Sequence, residues 1–330
     1  MPGDFETLSQ RILKHHHAFL PSNPRYFLGL HEYDGQLPDY SQAGIENRLA
    51  SARQDLADLN KLDLTTLNAQ ERFDVGVLRH NIEDTIFNLA EKRDWEKIPL
   101  FYQTELDLLS YTTRDYAPLP TRIAAMTRQE EQTPAFIAAA RANLKPPFAR
   151  PVMEISLMLL DGAVRYRQTD VKELLQSPEL SPEARAKGQK VNEAAIQAIQ
   201  GLIDWLRGQA AAFDDNFAIG RAMYEKLLKY DELVEMPLEE VLAAGERDLE
   251  QNYAALVETA RQFDPQASVN EVVERFKSQH PTAAELIGYS QNMLERIRQY
   301  LVDKDLISIP SETRPVVAPT PPPLRFGFAS

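Results

Sequence analysis

Helical periodicity dominates the pattern of apolar and polar positions along this chain. Ile45, Leu49, Ala52, Leu56 and Leu59 make one apolar stripe, with Ser41 placed to cap its start. Asn68 and Glu71 form a capping-box pair before a second stripe of Val75, Leu78, Ile82, Ile86 and Leu89. A helix expected from about Thr121 meets Pro134, which should kink or restart it. Met153 to Tyr166 is apolar on most sides and reads as a central helix. Ser181 then Pro182 gives a cap and a first-turn proline ahead of Val191, Ala195, Ala198, Leu202 and Trp205. A shorter helix carries Ile219, Met223 and Leu227. The cleanest stripe follows Pro237 and runs Leu238, Leu242, Gly245, Leu249, Tyr253, Leu256, Ala260, Phe263. Ser268 with Glu271 and Thr282 with Glu285 are further capping boxes, the second opening a last long helix with Leu286, Met293, Ile297 and Leu301.

Linkers between these stripes are short and polar, with two exceptions. Pro21 to Ser41 is punctuated by Gly, Pro and Asp and predicts an ordered loop packed by its own aromatics. From Leu306 the helix period disappears. Val316 and Val317 favour a strand, while Pro315, Pro319 and Pro321 to Pro323 forbid a central one, which leaves an edge strand or a polyproline path. The expected architecture is all-α: a multi-helix, antiparallel, bundle-like lobe over 1–305 and an extended, proline-rich tail over 306–330. Phe326 and Phe328 in that tail would be exposed and await a partner.

Composition narrows the chemistry. The 330 residues are ample for a core without staples, and the absence of cysteine removes disulfides, thiolate metal sites and a cysteine nucleophile. A net charge of −13 argues against nucleic acid and against anionic membrane surfaces as partners. The N-terminus lacks a basic segment followed by an apolar run, and the best apolar stretch, Ile155 to Leu160, is far short of the ~20 residues of a membrane helix. A cytoplasmic location is expected.

No histidine follows a glutamate by three residues, so a Glu-x-x-His di-iron bundle is excluded. His31-Glu32 begins a His-Glu-x-x-His zinc motif, but Gly35 stands where its second histidine belongs. Asp214-Asp215 begins an Asp-Asp-x-x-Asp motif that Ala218 breaks. His15, His16 and His17 point about 100° apart on a helix and cannot converge on one ion. His80 and Asp84 share a helix face and read as a surface pair. No glycine-rich phosphate loop is present. These readings assign no catalytic residue and no metal ligand within the chain.

Several segments, in order, resemble the bacterial family called domain of unknown function 885. They are Tyr26-Phe27-Leu28-Gly29-Leu30-His31-Glu32-Tyr33-Asp34, then Leu62-Asp63-Leu64 through Glu71-Arg72-Phe73-Asp74, then Phe217-Ala218-Ile219-Gly220 with Tyr224. Pro237-Leu238-Glu239-Glu240-Val241, His280-Pro281-Thr282, and Ile309-Pro310 through Pro321-Pro322-Pro323-Leu324-Arg325 complete the set. Members of that family resemble mostly helical zinc metallopeptidases with a late His-Glu-Gly-x-Pro-Gly-His segment, which has no counterpart here. The resemblance therefore implies the N-terminal helical lobe of a peptidase-like hydrolase. The lobe would form one wall of a peptide cleft and partner a missing C-terminal catalytic lobe that holds the zinc. No cofactor is expected in this chain itself. Tyr33, Asp34 and Arg325 are the implied substrate-cleft residues, Arg325 as a partner for a substrate carboxylate. Two other classes stay open: a non-catalytic helical protein that binds a partner through its apolar tail, and a small-molecule enzyme with a site between helices.

Overall fold

The computed structural model describes residues 2–320 and divides the chain into two compact units, 1–235 and 236–330. The boundary lies between Glu235 and Met236, inside the span that the sequence reading treated as one lobe.

Three helices open the first unit: α1 (Pro2–Phe19), α2 (Gln42–Leu59) and α3 (Ala69–Phe87). The Ser41 hydroxyl accepts the Gly44 amide at 3.1 Å, and Asn68 with Glu71 forms the full reciprocal capping box. Phe5, Ile12, Ala52, Leu59, Val75 and Ile82 belong to a small apolar core in this region. Short helical turns between Asn88 and Thr113 then lead to α4 (Leu119–Asn143), α5 (Arg150–Tyr166) and α6 (Pro182–Gly208). The larger core is drawn from these helices and turns and includes Tyr102, Phe136, Ile137, Leu160, Ile199 and Leu202.

Pro134 does not end α4. Buried Gln129, Glu130 and Thr133 precede it and buried Phe136 and Ile137 follow it, so packing on both sides outweighs a local cost of ~3 kcal/mol. α5 buries Met153, Ser156 and Leu160 but exposes Ile155 and Met158, so it is covered on one face rather than central. One departure from all-α is a pair of two-residue strands, β1 (Phe148–Ala149) and β2 (Phe213–Asp214), joined in parallel. They place Asp214 in a strand and Asp215 beside Arg150 at 3.2 Å, which explains this acidic pair without a metal. α7 (Arg221–Tyr230) has no buried residue and meets α3 through the stacked rings of Phe87 and Tyr230, 5.3 Å apart.

The second unit contains α8 (Leu238–Phe263), α9 (Val269–Lys277) and α10 (Leu286–Asp303). Ser268 and Glu271 form their capping box. The Glu285 carboxylate accepts the Thr282 amide and hydroxyl, but in the turn ahead of α10 rather than inside its first turn. The cleanest stripe of the sequence forms its helix and then stays uncovered: Leu242 is 63% exposed, Leu249 71% and Phe263 66%, and only Ala260 of α8 is buried.

The expected edge strand is not found among the described tail residues, 306–320. They run without regular structure beside α10, where the Gln291 amide accepts the Val317 N–H at 3.1 Å and donates to the Pro315 carbonyl at 3.3 Å. Phe326 and Phe328 lie outside the described residues.

Candidate functional site

The loop between α1 and α2 carries a polar constellation that reaches the surface. It begins as a wide helical turn, Pro24–Leu28, which Gly29 ends with φ +68°. A tighter turn, His31–Tyr33, follows. At Gly35 φ is +77°, and a Cβ there would stand 2.8 Å from the Ala125 carbonyl oxygen, so the position demands glycine twice over.

One buried hydroxyl holds this loop at both ends. Tyr111 Oη accepts Arg25 Nη1 at 2.6 Å and the Gly35 amide at 2.8 Å, and donates to Gln129 Oε1 at 2.9 Å. Gln129 Nε2 in turn donates to the carbonyls of Glu105 and Asp107, both at 3.2 Å. Burial pushes the Tyr111 phenol up to about 12, which keeps it a neutral donor. The aromatic packing expected of the loop is found at Tyr40, which is buried against Phe19, Phe101, Tyr102 and Phe136, whereas Phe27 and Leu28 are exposed and the anchor itself is polar.

Asp34 lies beside this anchor. Tyr116 Oη donates to Asp34 Oδ2 at 2.7 Å, and His31 Nδ1 is 3.2 Å from the same oxygen. The His31 ring stacks on Tyr116 with centroids 3.7 Å apart and planes 6° from parallel. Burial, and then hydrogen bonding to Asp34, raises the Tyr116 phenol well above its ordinary range. The arrangement is an Asp–His pair on a short helical turn, with Nδ1 engaged by the carboxylate. Such a pair can orient an imidazole for hydrogen bonding or proton transfer at a surface. Tyr33 packs edge-on against His17, 5.6 Å between centroids. Of the implied cleft residues, Tyr33 and Asp34 thus share this turn, and Arg325 lies outside the described residues. The sequence reading missed His31, Tyr116 and Tyr111 as partners. The His31-to-Asp34 spacing in a turn-rich loop was the one local signal for the pair.

Other constellations are structural. Ser51, His15 and Asp55 meet, but Ser51 Oγ and Asp55 Oδ2 both approach His15 Nδ1, at 3.2 and 2.7 Å. A nucleophilic triad needs the serine on the opposite ring nitrogen. Asp55 also takes Arg11 Nε at 3.2 Å, so this cluster ties α1 to α2. Glu130 and Arg167, each 1% exposed, pair at 2.8 Å inside the fold. Among the described residues no three His, Asp or Glu side chains converge as a metal site requires. Two open depressions in the second unit, about 730 and 650 Å³, are lined mainly by the polar turns around Asp264 and His280.

Fold and site together define a mostly helical protein with an Asp–His pair seated on an ordered surface loop. The chain belongs to the family described as "Bacterial protein of unknown function (DUF885)", whose profile matches residues 25–328. Among solved structures it is similar to a protein from Shewanella oneidensis described as a "putative lipoprotein of unknown function". The identity is 18% and the TM-score 0.75, over 92% of this chain and 58% of that one. The likeness establishes the fold, and this chain spans little more than half the length of that neighbour. No curated protein matches the chain. Among the described residues no helix is long and apolar enough to cross a membrane.

Proposed function

We propose that this chain is the helical lobe of a zinc-dependent, peptidase-like hydrolase, with the metal and the general base carried by polypeptide outside residues 1–330. The observation that carries the reading is the uncovered apolar face of α8. Leu242, Leu249, Tyr253, Leu256 and Phe263 form a stripe along a helix of 26 residues, and all are exposed. An apolar face of that length, ~32 Å from Leu242 to Phe263 at 1.5 Å per residue, is typical of an interface and not of a free surface. The neighbour's greater length is in keeping with a further lobe that covers it. Among the described residues no three His, Asp or Glu side chains converge, so no step of metal chemistry is assigned to them.

In this reading the His31–Asp34 turn forms part of the cleft wall. Tyr33 and the imidazole of His31 offer flat surfaces and a hydrogen-bonding edge to a peptide backbone. Asp34 is committed to Tyr116 and His31 and orients them rather than meeting substrate directly. The cytoplasmic location belongs to the same proposal. The neighbour's lipoprotein description is its competitor, and cell fractionation separates the two.

The test is metal analysis and peptide cleavage on the purified chain, followed by sequencing of the adjoining reading frame. The chain alone should hold no stoichiometric zinc after dialysis and cleave no peptide. Polypeptide with a His-Glu-x-x-His segment should lie alongside and, when added, confer zinc-dependent cleavage. One tightly held zinc per isolated chain would overturn the reading. A second reading rests on the same α8 stripe: a non-catalytic helical protein that engages its partner there. It is favoured if the partner covers α8 and the complex has no hydrolytic activity.

A further inference from the structure

α7 is held to the rest of the first unit by very little. It buries no residue, and its ties to α3 and the turn after it are the Phe87–Tyr230 stack, the Lys226–Glu91 ion pair and a group of carboxyls at its C-terminal end. Asn88 Nδ2 donates to Asp84 Oδ1 at 2.6 Å and stands 3.4 Å from Asp231 Oδ1, so one amide draws two carboxyls together. Nothing in the proposed cleft uses them.

We propose that Asp84 and Asp231 form a proton-sharing latch that fastens the end of α7 to α3 and loosens as pH rises toward neutrality. Two carboxyls drawn to one amide repel when both are charged, so the closed geometry favours a proton on Asp84. Lys92 is the nearest cation, 3.6 Å from Asp231 Oδ2, but its ammonium is shared with Asp94 at 3.1 Å. The other charged groups here are Glu91 and Lys226 in their ion pair, Lys229 over the Tyr230 ring at 5.6 Å, and half-buried His80 one turn before Asp84 on α3. Burial, and then Asp231, raises the Asp84 carboxyl from 3.8 to about 7.

The sign follows from that direction. A carboxyl raised in the closed state stabilises closure fully below its free value near 3.8, and the contribution drains away as pH climbs to about 7. Within that window the closing equilibrium weakens by up to about tenfold per pH unit.

Hydrogen exchange read at the Asp231 and Val234 amides reports the latch directly. They donate to the Leu227 and Leu228 carbonyls, both at 2.8 Å, and lie at and just beyond the end of α7. After correction for base-catalysed intrinsic exchange, and with α4 amides as internal reference, opening at these two sites should rise between pH 5 and 7 and then level off. Asp231→Asn replaces one acid by a neutral amide that still donates to Asp84, and should remove the slope. Asp84→Asn should do the same, and far-ultraviolet dichroism checks that both variants keep the fold. A flat wild-type profile overturns the proposal. So does a slope that persists in both asparagine variants.

Discussion

Removal of one oxygen atom from Tyr111 should weaken the first unit more than any exposed substitution on it. The Tyr111→Phe change keeps the ring, which is fully buried at 0% exposed, and opens only a hydroxyl-sized gap. It strands three groups: Arg25 Nη1, the Gly35 amide and Gln129 Oε1. Arg25 is 3% exposed and Gln129 0%, so water reaches neither without displacing the loop. Gln129 keeps its two donated bonds to Glu105 and Asp107, which fixes its carbamoyl group and prevents it from turning to a new partner. A buried polar group left unpaired costs about 1–3 kcal/mol, so three give roughly 3–5 kcal/mol once partial relaxation is allowed. Both tryptophans, Trp95 and Trp205, lie in the first unit, so urea denaturation followed by tryptophan fluorescence reports that unit. The Gly35 amide should lose its exchange protection in the same variant. Tyr224→Phe, at a ring 45% exposed, is the control and should stay within about 0.5 kcal/mol of wild type. A Tyr111→Phe loss below about 1 kcal/mol, with Gly35 still protected, would refute the anchoring role.

Arg167→Met should cost about 3–5 kcal/mol by urea denaturation, because it leaves Glu130 charged and unpaired at 1% exposure; a loss under 1 kcal/mol would mean that Glu130 takes up a proton at no cost. Burial, and then Arg48, lowers the His16 imidazole from 6.5 to about 4, so the unfolded chain binds the proton more readily; stability should fall as pH drops from 6.5 to 4, and His16→Gln should flatten that part of the profile. Leu249→Lys and Tyr253→Lys should each shift the stability of the isolated chain by no more than about 0.5 kcal/mol, whereas Ala260→Lys should destabilise it clearly. Equal losses at all three positions would show that the α8 stripe is buried within the chain.

The parts of this fold that the sequence announces are the local ones. Ser41, Asn68 with Glu71, Ser181 and Ser268 cap their helices as read, because a cap is decided within one turn of backbone. Pro134 shows the limit of a local rule, since packing on both sides carries α4 past it. The α8 stripe shows another: periodicity reveals which face of a helix is apolar but not whether anything in the chain covers it. The tail shows a third limit: Gln291, which tethers Pro315 and Val317, gives no pattern in the sequence at all. At the candidate site Asp34 could be named from its loop, but Tyr116 and Tyr111 could not. Their partners lie far along the chain, and no spacing rule connects a phenol to a turn that distant.

The β1–β2 bridge has a kinetic meaning. Its two residue pairs join positions separated by about 65 residues, and closing a loop of that length costs roughly 3–4 kcal/mol of chain entropy. The few hydrogen bonds of so short a ladder return about 1 kcal/mol each and cannot carry that cost unaided. The bridge must therefore follow the docking of α5 and α6, when Phe148 already rests edge-on against Trp205, 6.2 Å between centroids. It is a seam closed after assembly, so the backbone amides of Phe148 and Phe213 should gain protection later in refolding than those of α4.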